Sequence, residues 1–559
     1  MPTVIYEIPK EKYSSMIDSR VIDIVDPKQE NLDSFDGFFT IKEAALWATE
    51  YLQRPVSNAN ISYLINYGKV RKYTRNGAVV IMKDELEQYY QSYHAQRQVE
   101  WKDKLGDDLN WALSFDNLPE KETTKHVHRL HPYKGKYIPQ LVKYFLDEHI
   151  DEFKDSVYFQ RGDVVLDPFA GSGTTLVEAN ELGINAIGVD VSSFNAMIDN
   201  CKLAKVDLAV LTQHIQNITS RLKIFIANSN VLEFEEKLLQ KLNEFNNKYF
   251  PVPEYKYKVA RKEIDPKVYG EEKAAEFLPV YNQLVDKYGI QLRQKKQDTF
   301  LGKWFTQQIR NEIEFVYTQI EEIGDKDIHD VLCVILSRTM RSCRATTHAD
   351  LATLKDAVTT TYYCGKHGKI CKPLFSILKW WETYSKDTIQ RLREFSILRT
   401  DTFQHCLIGD SRTIDVFSEI NKIDQVFGQR LQEQKIKGIF SSPPYVGIID
   451  YHEQHAYAYD LFGLPRHDDQ EIGPLFKGQK LEAQLSYVEG IAAVLNNCKR
   501  FLVEDYDIFL VANDKYNLYP RIAAAAGMKI VEQIKRPVLN RTERDKGAYC
   551  EIIFHLKHI

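Results

Sequence analysis

The stretch that decides the fold is VVLDPFAGSGTTLVEANELGINAIGVD, residues 164–190. It opens with a short apolar strand, VVLD, and passes through a glycine loop, DPFAGSGTT. It continues as a helix, TLVEANEL, that stops at Gly183, and ends in a second strand, NAIGVD. Strand, glycine turn, helix and strand within about 30 residues make a nucleotide-binding α/β unit. A chain turning sharply from strand into helix needs backbone angles that glycine adopts freely, which accounts for Gly171 and Gly173. Without side chains there, a ligand can also approach the backbone. No Gly-Lys-Ser/Thr follows, which excludes a P-loop, and the third glycine of a dinucleotide G-x-G-x-x-G is absent. Asp190 ends the second strand, nineteen residues after Gly171, where a carboxylate can accept hydrogen bonds from both hydroxyls of a ribose.

Working outward, the alternation resumes beyond residue 400. FQHCLIGD, KGIFSS and DIFLVAN read as strands, and LSYVEGIAAVLNNCKRFL and YPRIAAAAGM as helices. KIVEQIKRPV and AYCEIIFHL form a closing hairpin that adds an antiparallel strand to an otherwise parallel sheet. The block between keeps a different beat. FTQQIRNEIEFVYTQIEEI and DVLCVILSRTMRS are amphipathic helices, so residues 206–400 are expected to be a mainly helical domain. It would be inserted between a cofactor-binding half, 120–205, and a catalytic half, 401–559. Trp380 and Trp381 are expected as core anchors.

Toward the N-terminus, residues 1–37 read as a polar lead. At FFTIKEAALWATEYL, Thr40 and Glu43 form a capping box, and Ile41, Ala44, Ala45, Ala48 and Leu52 share one helix face. A second helix, SNANISYLINYGKV, closes at Gly68, and RKYTRNGAVVIMKD reads as two strands about an Asn76-Gly77 turn. Residues 38–95 therefore look like a winged helix-turn-helix of the excisionase or MerR type, with Lys69, Arg71, Lys72 and Arg75 crowding the second helix end and the wing. A protein-docking module with a solvated basic rim is the competing reading.

The whole chain offers nucleic acid no general attraction. Its 73 basic and 78 acidic residues give a net charge of -5, so any DNA surface must be a local patch. The 559 residues exceed one compact core. Eight widely spread cysteines suit a reducing compartment, MPTVIYEIPKEKY lacks a secretory pattern, and no apolar run is long enough to span a membrane.

LDPFAGSGTTLVEANELGINAIGVDVSS resembles the cofactor segment of the amino-methylating DNA methyltransferases. The resemblance covers about residues 125–205 and 400–559. It implies a Rossmann-like α/β fold and S-adenosyl-L-methionine as cofactor. The loop Asp167, Pro168, Phe169, Gly171, Gly173 and Thr174 would hold the methionine end, and Asp190 the ribose. Tyr133 and Lys136, in HPYKGKYIPQLVKYFL, would close over the cofactor, and Asp410, in CLIGDSR, would receive the adenine amino group.

The same resemblance gives meaning to SSPPY, residues 441–445, at the end of KGIFSS. An exocyclic amino group is a poor nucleophile because its lone pair is delocalised into the ring. Two acceptors that grip its N–H groups direct that pair toward a sulfonium methyl. Ser442 Oγ supplies one, and the Pro443 carbonyl the other. The consecutive Pro443 and Pro444 remove two backbone donors and fix φ near about -65°. Tyr445 would stack on the base. With no Pro-Cys nucleophile in the loop, cytosine C5 is excluded as the target. Ser at the first position resembles the N4-cytosine members, with adenine N6 as the alternative. A base in duplex DNA would have to flip out.

Arg338, Arg341 and Arg344, in RTMRSCRATTHADLATLK, are candidates for DNA contact within the insert. The expected partners are double-stranded DNA and a cognate restriction endonuclease, in a bacterial cytoplasm close to the nucleoid. Cys364, His367 and Cys371 have zinc-like spacing, with Cys343 as a conceivable fourth ligand, but no second CxxC supports it and no metal is assigned. DYHEQH, residues 450–455, is read as cleft-lining helix rather than as metal ligands. An RNA methylase and a catalytically silent DNA-binding regulator are the rival functions.

Overall fold

The computed structural model describes residues 37–52, 56–66, 70–75, 78–116, 118, 120–133, 135–294, 298–348, 350, 354–539 and 547–559. Residues 1–36 of the polar lead, Gly68, Lys69 and the Asn76-Gly77 turn lie outside the described residues. The chain divides into two compact units. One comprises residues up to Glu122 together with Lys535–Cys550, and the other Thr123–Ile534 with Glu551–Ile559.

In the first unit, strands Phe38–Thr40, Ala78–Met82 and Tyr73–Arg75 pair antiparallel in that order. Helices Ile41–Tyr51 and Asn58–Asn66 stand between the first strand and the other two in the chain. The expected capping box is present, with Glu43 N–H donating to Thr40 Oγ1 at 3.3 Å and Thr40 N–H to Glu43 Oε2 at 2.8 Å. Ala44, Ala45 and Ala48 pack with Ile61, Leu64, Ile81 and Leu86, while Ile41 and Leu52 flank that core half-buried. The 23-residue helix Lys83–Leu105 begins inside the 38–95 module of the sequence reading and runs past its expected end.

The second unit is built on a seven-stranded sheet. Its strands, in chain order, are β1 (Val164–Asp167), β2 (Asn185–Asp190), β3 (Gln404–Ile408), β4 (Ile436–Ser441), β5 (Leu502–Ala512), β6 (Met528–Pro537) and β7 (Cys550–His558). They lie in the order β6-β7-β5-β4-β1-β2-β3. β1 runs parallel to β2 and β4, β2 to β3, and β4 to β5; β7 is antiparallel to β5. The chain thus winds outward from β1 to one side through β2 and β3, then returns to start the other side with β4. Open sheets bind ligands at the carboxyl ends of the strands where the winding reverses, here β1 and β4. DPFAGSG leaves β1 and SPPY leaves β4 at that crevice.

Between β2 and β3 lie helices from Ser193–Leu203 to Leu378–Leu398 and a small hairpin, Tyr362–Cys364 with Lys369–Cys371. Part of this stretch has its own core, including Phe234, Leu238, Phe277, Tyr281 and Phe375, yet it belongs to the same compact unit as the sheet. Its two ends are tied together. The Arg399 guanidinium donates to Leu203 O at 2.7 Å and Ala204 O at 2.9 Å, and Lys205 pairs with Asp401 at 2.9 Å. Trp381 is fully buried, with its indole N–H donating to Thr219 Oγ1, whereas Trp380 is only half-buried and stacks on Tyr384. No helix among the described residues is long and apolar enough to cross a membrane.

Candidate active site

At the carboxyl ends of β1, β2, β3 and β4 the second unit has a cleft of about 790 Å³, mouth included. Tyr133, Lys136, Pro168, Phe169, Gly171, Thr174, Asp190, Asp410, Ser442 and Pro444, all singled out from sequence, line it together. The remaining positions lie close by but do not line it. Asp167 is fully buried beneath, Gly173 shapes the loop, Pro443 is buried in the corner, and Tyr445 turns aside.

The glycine loop is held by its neighbours. Gly171 and Gly173 have φ of +56° and +64°, where a side chain would be strained. A Cβ on Gly173 would also lie 2.7 Å from the Asp199 carboxyl. Gly171 N–H donates to Asp190 Oδ2 at 2.8 Å, and Ser192 N–H to Asp190 Oδ1 at 2.8 Å. These bonds aim the carboxylate across the loop. Burial nonetheless outweighs them and pushes the Asp190 carboxyl up to about 6. From below, the buried Lys202 ammonium donates to Ser172 O.

Asp167 is the acceptor of a fixed set of donors: Ser441 Oγ at 2.6 Å, Tyr137 OH at 3.1 Å and Phe169 N–H at 3.2 Å. Burial holds its carboxyl above the usual range. On the opposite wall, Asp410 is gripped by the Arg412 guanidinium, with Nε 2.9 Å from either carboxylate oxygen and Nη2 2.6 Å from Oδ2. Lys136 donates to His128 O at 2.8 Å, and burial brings its ammonium down to about 7. Tyr133 stacks on Tyr451 with ring centroids 6.2 Å apart.

Tyr445 donates its hydroxyl to Glu551 on β7 at 2.8 Å and packs its half-buried ring on the sheet core. Arg341 and Arg344 are half-buried, with Arg344 Nε donating to Arg341 O. Arg338 corrects the expectation placed on it. It is 6 % exposed, paired with Asp387 at 2.6 Å and laid over Tyr384, so it joins helices instead of meeting phosphate. In the first unit, Arg71, Lys72 and Arg75 are exposed, with Arg71 bound to Glu85 at 2.5 Å.

Several cleft residues escaped the sequence reading: Tyr451, Gln470, Glu471 and Ile472 on the wall, and Arg412 behind Asp410. Tyr451 does belong to DYHEQH, which was expected at a cleft, although that stretch forms turns and the short Glu453–His455 helix. Its His452 is buried against Glu471 at 2.5 Å.

Two carboxylates at the ends of adjacent strands, a glycine loop and aromatic walls fit a donor made of adenine, ribose and a methionine tail.

Comparisons with known proteins identify the family. A family model described as DNA methylase, of the N6/N4 type, matches residues 21–198. The type II methyltransferase M.MjaII of Methanocaldococcus jannaschii is 47% identical over 523 residues, covering 93% of this chain and 97% of that protein. M.MvaI of Kocuria varians, also a type II methyltransferase, is 34% identical over 119 residues, 21% of this chain and 24% of that one. No solved structure matches. The chain belongs to the amino-methylating DNA methyltransferases and is an S-adenosylmethionine-dependent enzyme.

Proposed function

We propose that this enzyme methylates the N4 amino group of cytosine in a base flipped out of double-stranded DNA, within a type II restriction–modification pair. The carrying observation is that Ser442 and Pro444 share one cleft with Phe169, Gly171, Asp190 and Asp410. One acceptor for an amino group, Ser442 Oγ, and recognition groups for a nucleoside thereby share one crevice, with Pro443 buried in the corner beside it.

When bound, S-adenosylmethionine supplies an electrophilic methyl on its sulfonium. Asp190 would accept from the ribose hydroxyls and Asp410 from the adenine amino group, and the Phe169–Gly171 loop would hold the methionine end. Ser442 Oγ and Pro443 O would accept hydrogen bonds from the two N–H groups of the target amine and turn its lone pair toward the methyl; the neutral thioether of the spent donor would be the leaving group, and the excess proton on the methylated amine would pass to solvent. The rest is alignment, worth roughly 7–11 kcal/mol when attack geometry is held. Tyr445, anchored on Glu551, braces the corner from the β7 side.

The first unit is assigned as a winged helix-turn-helix whose Arg71, Lys72 and Arg75 meet phosphate, and the 206–400 segment as the target-reading part, with Arg341 and Arg344 at its edge. Ser442 favours cytosine; adenine N6 is the alternative. Nucleoside mass spectrometry of DNA from expressing cells tests the choice. N4-methylcytosine supports the reading, N6-methyladenine moves the target, and unmodified DNA under an active cofactor-binding enzyme overturns it.

A further inference from the structure

Away from the cleft, four side chains bearing metal-binding atoms converge within the 206–400 segment. His348, Cys364, His367 and Cys371 each offer one such atom, and all four lie within 4.8 Å of one another. The sequence reading lacked a fourth ligand and looked to Cys343. The fold supplies His348 instead, delivered by the loop after helix Lys326–Ser342.

The local structure is a knuckle. Cys364 ends one strand of the hairpin and Cys371 the other, with Cys364 paired to Lys369 and Tyr362 to Cys371. His367 N–H and Gly368 N–H both donate to Cys364 O, at 3.1 and 2.7 Å, and Gly368 takes a φ of +62° to complete the turn. That turn leaves His367 Nδ1 3.4 Å from Cys371 Sγ. The His348 and His367 rings meet edge to face with centroids 4.5 Å apart. Both cysteines are buried, at 4 and 9 % exposure, and both histidines are exposed, so an ion can enter from solvent.

Zinc bound by two thiolates and two imidazoles has bonds of about 2.3 and 2.0–2.1 Å, which set ligand atoms about 3.3–3.8 Å apart. The His367–Cys371 separation already falls in that range. The outer support is also present: Tyr362 OH lies 2.8 Å from His348 Nδ1 and accepts from His348 N–H at 3.2 Å. With the ring proton on Nδ1, directed at the phenol oxygen, Nε2 keeps the lone pair a metal needs. The far side of the hairpin is pinned by Asn246, which exchanges two 3.0 Å bonds with the Ile370 backbone.

Two other groupings are satisfied without a metal. Glu178 and Glu181, beside His126 and His128, already share the Lys125 ammonium at 2.9 and 2.7 Å. Glu471, beside His452 and Asp468, accepts from the Tyr451 and His452 amides.

We propose that His348, Cys364, His367 and Cys371 hold a structural zinc ion that clamps the hairpin to the loop after helix Lys326–Ser342. Two thiolates and two imidazoles in a closed set select zinc over oxygen-preferring cations. The ion takes no part in methyl transfer.

Full-length protein, expressed with added zinc and purified under reductant without chelator, should carry about one zinc per chain by elemental analysis. A Cys364→Ser, Cys371→Ser double variant should carry almost none. Because that variant can misfold, intact protein stripped and reloaded with Co²⁺ gives a second readout: tetrahedral visible bands with thiolate-to-cobalt charge transfer in the near ultraviolet. His348→Ala, on an exposed loop, should weaken zinc at least about tenfold in chelator competition. Zinc-free wild-type protein, a double variant that retains its zinc, or a cobalt spectrum without thiolate bands would each overturn the site.

Discussion

Ser441 Oγ donates to Asp167 Oδ1 at 2.6 Å, which joins the last residue of β4 to the last residue of β1. The glycine loop begins one residue beyond the acceptor, and the Ser-Pro-Pro-Tyr corner one residue beyond the donor. Through this bond the two halves of the cleft are set relative to each other by side chains that do not line it. Ser441→Ala should therefore lower stability by about 1–2 kcal/mol and also weaken both cofactor binding and turnover. Asp167→Ala should cost more, since it also removes the acceptor of Phe169 N–H and one of the two partners of Tyr137 OH. Thermal denaturation alongside titration calorimetry measures both, and a Ser441→Ala enzyme with unchanged melting and affinity would refute the coupling.

Asp190 makes cofactor affinity depend on pH. Its folded carboxyl titrates at about 6, raised by burial from an ordinary value near 4. Because the raised group is an acid, its ionisation costs the free enzyme stability as pH rises from about 4 through about 6. Binding runs the other way: ribose hydroxyls need the carboxylate as acceptor. Affinity should rise up to about tenfold per pH unit below about 6 and level off above it, with a proton released on binding near pH 6. Calorimetry in buffers of different ionisation enthalpy detects that proton. Asp190→Ala should bind weakly at every pH, and a wild-type affinity flat across pH 6 would remove Asp190 from the ribose.

Ser442→Ala separates chemistry from binding. The hydroxyl has no part in Asp167's hydrogen-bond set, which is filled by Ser441, so its loss should leave the strand ends in place. By comparison with removal of one positioned hydrogen-bonding group elsewhere, single-turnover methyl transfer should fall on the order of 100-fold, with cofactor affinity within about twofold of wild type. Unchanged turnover would refute its role.

What sequence could and could not show follows from range. DPFAGSG, Asp190 and Ser-Pro-Pro-Tyr are readable because each couples a local backbone requirement to a strand end. The Thr40–Glu43 capping box is readable because its partners are three residues apart. Tyr451, Glu471 and Ile472 reach the cleft from loops, and Gln470 from the short Asp468–Gln470 helix, with no periodicity to mark them. Arg412 sits two residues from Asp410, yet only the folded loop shows that its guanidinium grips that carboxylate. Arg338 misled because the partner that buries it, Asp387, lies 49 residues on. His348 was missed for the same reason: sixteen residues and a turn separate it from Cys364.

The wing offers the sharpest test of the assignment of the first unit. Arg71 is exposed but already engaged, its guanidinium and its backbone N–H both on the Glu85 carboxylate. Lys72 and Arg75 are exposed on either side of Tyr73–Thr74. Each basic group that neutralises a phosphate contributes about 0.9 to the slope of log affinity against log salt. Replacing Lys72 and Arg75 together by Ala should then flatten that slope by about 2, and Arg71→Ala by less, because Glu85 already offsets its charge. Deleting residues 38–92 should remove the whole contribution while cofactor affinity in the second unit persists. The measurement is DNA affinity at several salt concentrations, with matched non-specific DNA as control. A slope untouched by the deletion would turn the module from a DNA-contacting wing into a protein-docking one.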